Sequence, residues 1–205
     1  MYAQDAPVEL FNGKNLDGWV VREGPADIWY VEDGVLVCNG VNTVRGWLGT
    51  AEEYGDFEMT LEWKIPENGN SGVFLRVGEE PRQEPAYDAI EVQICDDNGS
   101  NYSEVLDVEH SGGIYPLVAP SKDMFKGANT WNRFVITCKG PHITVVYNGE
   151  KVVDIRTNRY ARPFEWNDRK RRPMFMRPKR GYVALQSHGS MAWFRNISIR
   201  RLDSK

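Results

Sequence analysis

The chain has 205 residues, 41% of them hydrophobic, 12% aromatic and 26% charged, with 19 glycines, 11 prolines and a formal charge of −4. This is enough apolar material for one domain with a sizeable core, which excludes a disordered chain. The negative balance argues against nucleic acid or an anionic membrane as partner and suits a neutral ligand such as a sugar.

The first ten residues, MYAQDAPVEL, are small and polar and lack the basic and apolar regions of a signal peptide. Their texture is that of a mature exported protein, so a periplasmic or extracellular location is expected. Short apolar or alternating runs then place strands near residues 28–38, 44–50, 55–65, 72–77, 88–95, 133–138, 142–147, 151–155, 181–187 and 192–200. FEMTLEWKI (57–65) alternates throughout, with Phe57, Met59, Leu61, Trp63 and Ile65 on one face. Asn148-Gly149 joins two such runs and predicts a hairpin with a type I′ turn. The sum is an all-β, two-sheet antiparallel sandwich of jelly-roll type spanning 1–205 as one domain, with little helix. No apolar run approaches the length of a membrane span.

Two segments interrupt the strand pattern, 97–131 and 156–180. The second is densely basic, but Pro163, Pro173 and Pro178 punctuate it and Phe164, Trp166, Met174 and Phe175 supply anchors. It reads as a loop pinned over a sheet, not as a nucleic-acid patch. Cys38, Cys95 and Cys138 are widely spaced and odd in number, which predicts buried thiols and neither disulfides nor a zinc site. Trp19, Trp29, Trp63 and Trp193 are expected in the core.

Three strands end in polar rows. In YDAIEVQICD (87–96), Ile90, Val92 and Ile94 face one way and Glu91, Gln93 and Cys95 the other, with Asp96 at the exit. In SGVFLR (71–76), Gly72, Phe74 and Arg76 share a face; in YVALQSH (182–188), Ala184, Gln186 and His188 do. Alternation alone is equally consistent with a solvated face and with the floor of a site. Asp96 through Ser100 supplies oxygen ligands in a turn but lacks the full spacing of a calcium loop, so an Asx-rich turn is the simpler reading.

Taken in order, LFNGKNLDGW (10–19), YVEDGVLV (30–37), NSGVFLRV (70–77), AIEVQICD (89–96), GGIYP (112–116), TWNRFVITCKG (130–140), VYNGEKVVD (146–154) and GYVALQSHGSMAWFRNISIRRL (181–202) resemble the 3-keto-disaccharide hydrolase domain family. The resemblance implies a concanavalin-like jelly roll and an enzyme acting on glycosides whose glucose ring is oxidised at C3. It runs through nearly the whole chain; TWN at 130–132 and the long basic 156–180 segment depart from the family pattern and bear on substrate choice.

A C3 carbonyl acidifies the C2 proton, so a base can remove it and the enolate can expel the C1 substituent. That route calls for a base, a proton donor and a cation or hydrogen-bond donors for the enolate. Glu91, Arg76 and His188 are the candidates for this chemistry. Gln93, Asp96, Tyr115, Trp131 and Gln186 are candidates for holding sugar, and Glu91 and Asp96 for ligating a divalent cation. Each has a plainer alternative: a solvent-facing Glu91, a salt bridge for Arg76, a strand-end His188 and a core Trp131. The rival to the enzyme is a non-catalytic, lectin-like carbohydrate-binding module, since the fold alone does not imply catalysis.

Overall fold

Turn-punctuated runs become antiparallel strands along the whole chain. The computed structural model describes residues 6–40, 45–79, 85–102, 104–159 and 173–202. Among these the strands are β1 (Val8–Glu9), β2 (Trp19–Glu23), β3 (Trp29–Glu32), β4 (Val35–Asn39), β5 (Arg45–Tyr54), β6 (Phe57–Lys64), β7 (Asn70–Val77), β8 (Ile90–Cys95), β9 (Ile114–Tyr115), β10 (Asn132–Lys139), β11 (His142–Tyr147), β12 (Glu150–Arg156), β13 (Gly181–His188) and β14 (Met191–Arg201). One short helix, α1 (Pro85–Asp88), precedes β8. One sheet runs β12-β11-β10-β6-β14-β4-β3, with β1 also on β14; the other runs β2-β5-β13-β7-β8-β9. This is the expected all-β antiparallel sandwich, and β13 and β14, late in the chain, each lie between strands formed early.

The core lies between the sheets. Phe57, Met59, Leu61 and Trp63 are fully buried while the intervening residues of β6 are half-buried, as alternation predicts. Trp63 packs against Phe134 and Tyr147 at ring-centroid distances of 5.2 and 5.9 Å. Leu48, Val73, Leu75, Val92, Ile94, Val183 and Leu185 close on them from the other sheet. Each such side chain stabilises the fold by about 1.5–3 kcal/mol when removed from water.

Local chemistry sets the turns. Asn148 and Gly149 both take positive φ, 50° and 96°, and close the β11–β12 hairpin as expected. Asp33 and Gly34, at 50° and 76°, split the single strand predicted for 28–38 into the β3–β4 hairpin. Strands β1, β2 and β9 were not visible as alternating runs; two of them are only two residues long.

Two further expectations need correction. Trp193 is half-buried on the outer face of the larger sheet, with the Lys64 ammonium 4.8 Å from its ring, whereas Trp19, Trp29 and Trp63 are core. Phe175 is exposed, and Met174 alone of 174–176 is buried. Residues 160–172, which carry much of the basic segment, lie outside the described residues. Arg177, just beyond them, is buried and donates to the carbonyl of Ala89 at the head of β8, so this end of the segment is pinned to the sheet.

Candidate functional site

Because the inner face of the six-stranded sheet is apolar, the opposite parity carries its polar residues outward. On β13 and β5, Gln186 faces Trp47 and His188 faces Arg45; on β7 and β8, Gly72 faces Gln93 and Phe74 faces Glu91, which in turn faces Tyr115 on β9. Glu91, Gln93, Tyr115, Gln186 and His188 line one cleft of about 160 Å³. Adjacent strands lie roughly 4.8 Å apart, so the β8 and β13 rows, separated by β7, leave about 10 Å between them. A larger hollow of about 570 Å³, lined among others by Val8, Asp17, Tyr54 and Arg201, contains none of the residues singled out from the sequence.

The middle strand makes room for the site. A Cβ on Gly72 would lie 2.4 Å from Glu91 Oε1, so the carboxylate extends over the place where any other residue would carry its side chain. Glu91 and Gln93 are only 2% and 5% exposed, so their row is no wet face. The loop after β8 covers it: the Gly112 amide donates to the Gln93 carbonyl, the Gln93 amide to that of Gly113, and the Cys95 amide to Ser111 Oγ. Apolar Trp47, Phe74, Val77, Ala89 and Ala184 pack together beside the polar rows, with Tyr87 and Tyr182 against them. A smaller cavity shares Arg45, Gln186 and His188 with the cleft and runs on towards Glu23, Trp47 and Pro85.

Three predicted residues are elsewhere. Arg76 has φ 57° at a shift in strand register, between the Tyr182–Val77 and Ala184–Phe74 pairs. This bulge breaks the alternation that would put Arg76 beside Phe74. Its guanidinium is instead buried at the rim of the sandwich, donating to the carbonyls of Gly55 and Gly140 at 2.8 and 2.9 Å and to Asp56 Oδ1 at 3.1 Å. Asp96 accepts from the Asn68 amide at 2.8 Å and closes a turn with the Gly99 amide, as an Asx-rich turn does; it does not line the cleft. Trp131 is on the outer face of the other sheet, with Arg195 4.0 Å and Lys64 5.2 Å from its ring centroid.

Other residues complete the wall. Arg45, Asn70, Tyr87, Tyr102, Val105 and Glu109 also line the cleft. Arg45 was legible in principle, because RGWLGT alternates and places it on the face of Trp47 and Gly49. Tyr102 and Glu109 come from the irregular segment, where periodicity carries no signal. Burial raises the Tyr102 phenol above its usual pKa, partly offset by a hydrogen bond with the Asn70 side chain. Beneath the loop, Asp97 Oδ1 accepts from the Cys95 thiol at 3.1 Å and the Ser111 amide at 3.0 Å and meets His110 Nδ1 at 3.0 Å. Burial first, then Asp97, pushes the Cys95 thiol far up, so it serves as a donor and not as a nucleophile. Among the described residues no three His, Cys, Asp or Glu side chains gather as a metal ion would require.

The chain is similar along most of its length to several known proteins. A Bacteroides thetaiotaomicron protein named 3-keto-disaccharide hydrolase is 26% identical over 238 residues, an alignment covering 97% of this chain and 79% of that protein. Two solved structures from Parabacteroides distasonis, both provisionally named glycosyl hydrolases, are similar throughout. One has a TM-score of 0.83 at 30% identity and covers 97% of this chain and 100% of that one. The second has a TM-score of 0.81 at 29% identity, covering 96% and 94%. A Bacillus subtilis carbohydrate-binding module, CBM66, shares the fold alone, with a TM-score of 0.58 at 10% identity over 89% of this chain and 95% of that one. Residues 6–200, which take in both sheets and every residue of the cleft, match the 3-keto-alpha-glucoside-1,2-lyase-like domain, and the chain belongs to that family.

Proposed function

We propose that this protein cleaves the glycosidic bond of 3-keto-glucosides, including 3-keto-disaccharides, by elimination followed by hydration. The observation that carries the reading is that a carboxylate, Glu91, and two potential cations, Arg45 and His188, line one cleft together with the amides of Gln93 and Gln186. Family membership and the name of the Bacteroides relative support the same substrate class.

With the oxidised ring between the β8 and β13 rows, Glu91 takes the proton from C2 and its electrons form the enolate across C2 and C3. Arg45 and His188, opposite each other on β5 and β13, hold the developing negative charge on the C3 oxygen. When the carbonyl re-forms, a C1–C2 double bond appears, the C1–O bond breaks and the departing oxygen takes a proton. Water then adds its hydroxyl at C1, and Glu91 returns the proton to C2. The net change is hydrolysis. Gln93, Gln186 and Tyr115 are placed to hold ring hydroxyls, since amides both donate and accept.

A sugar-binding module without chemistry is the second reading, favoured by the fold shared with CBM66. Incubation with a 3-keto-disaccharide and with its unoxidised parent, followed by mass spectrometry, separates the two. Release of sugar or of the unsaturated 2-hydroxy intermediate from the oxidised substrate alone is expected. Intact 3-keto substrate across several linkages would overturn the enzyme, and equal cleavage of the parent would overturn the elimination route.

A further inference from the structure

Expulsion of an ordinary sugar alcohol needs a proton at the departing oxygen, and addition of water afterwards needs that proton taken back. Glu91 is occupied by the C2 proton during both steps, and Arg45 and His188 by the carbonyl oxygen. Among the remaining titratable groups lining the cleft, Glu109 is the carboxyl group. Tyr102 is tied to Asn70 and its phenol is raised by burial, which suits it poorly to release a proton.

Glu109 is also held in place. Residues 107–109 form a helical turn in which the Glu109 amide donates to the Leu106 carbonyl at 2.7 Å, and the Leu106 amide returns a bond to Glu109 Oε2 at 3.3 Å. The Glu109 carbonyl accepts from the Cys95 thiol at 3.4 Å, and Asp97 grips the next two residues through His110 Nδ1 and the Ser111 amide. Paired bonds between Gln93 and residues 112–113 continue this attachment along β8. The turn bearing Glu109 is therefore fastened to the strand bearing Glu91, which fixes one carboxyl group relative to the other.

From this geometry, and resting on the elimination reading above, we propose that Glu109 is the proton donor to the leaving-group oxygen and, once ionised, the base that activates the incoming water. Asp97 is then a positioning residue acting through the 107–111 turn.

The test compares wild type and Glu109→Gln on two substrates with the same 3-keto-glucose: a 3-keto-disaccharide and the 3-keto-glucoside of 4-nitrophenol, whose phenolate leaves without a proton. Gln keeps the acceptor that caps Leu106, and a thermal melt confirms that the variant is folded. Measured in the first turnover, before hydration, release of the sugar alcohol is expected to fall by roughly 100-fold or more, the typical contribution of general acid catalysis, while nitrophenolate release stays near the wild-type rate. An equal fall on both substrates, or no fall on either, with an active wild type would overturn the role of Glu109 alone. A wild type inactive on both would overturn the proposed function and this role with it.

Discussion

The carboxylate of Glu91 lies against Gly72, with Oε1 2.4 Å from where a Cβ on that glycine would be. Alanine at 72 therefore cannot coexist with the present Glu91 conformer: a real Cβ contact is never that short, and the carboxylate is the movable partner. Gly72→Ala is expected to fold, since the glycine is in an ordinary strand, but to lower kcat on a 3-keto-disaccharide by about 100-fold, the scale of a misplacement near 1 Å. Unchanged kcat in a folded Gly72→Ala protein would show that the carboxylate position is immaterial to turnover.

Arg76 gives the opposite expectation. Its guanidinium ties the 55–56 turn to the 140 turn through three hydrogen bonds and is 3% exposed. Arg76→Met leaves those acceptors without their donor and should cost about 2–4 kcal/mol of stability in urea unfolding, with kcat per folded molecule preserved. A melting temperature like that of wild type combined with lost turnover would return Arg76 to the chemistry.

The contrast between these residues shows what a sequence discloses. Alternation in FEMTLEWKI and YDAIEVQICD gives the strand, its buried face and the shared parity of Glu91 and Gln93, because side-chain direction follows from backbone period. It fails at Arg76, where one residue at positive φ resets the parity, and at Asp33-Gly34, where a two-residue turn is embedded in an apolar run. Trp131 was misplaced for a different reason: it leads directly into β10, which belongs to the other sheet, and sheet membership is a property of long-range pairing. Glu109 and Tyr102 reach the cleft from a loop whose course is set by hydrogen bonds to β8, and these leave no local pattern.

Burial controls the thiols and gives a pH dependence. It raises Cys38 to about 11 and Cys138 to about 12, from a value of 9.0 for the accessible group. The folded state thus keeps its thiol protons where the unfolded chain loses them. The sign follows: this contribution is fully present below about pH 9 and is lost as pH rises from there through 11 to 12. Stability should decline across that alkaline window, and a Cys38→Ala, Cys138→Ala variant should decline less steeply. Near neutral pH, Ellman's reagent should find no reactive thiol in the folded protein and all 3 cysteines after unfolding. Rapid reaction of the native protein would contradict the buried placement.

Gln186 separates stability from binding. Its Oε1 is buried with no hydrogen-bond partner among the described residues, and the residue lines both the main cleft and its smaller extension. An unmet buried acceptor costs stability by itself, on the order of 1–3 kcal/mol, and a substrate hydroxyl directed at it would recover that energy on binding. Gln186→Leu has similar size and no acceptor. It should therefore melt at or above the wild-type temperature while raising KM for a 3-keto-disaccharide by roughly 10-fold, with a smaller effect on kcat. A variant that instead melts lower and keeps its KM would place Gln186 in the framework of the sheet, as a residue serving its neighbours and not the sugar.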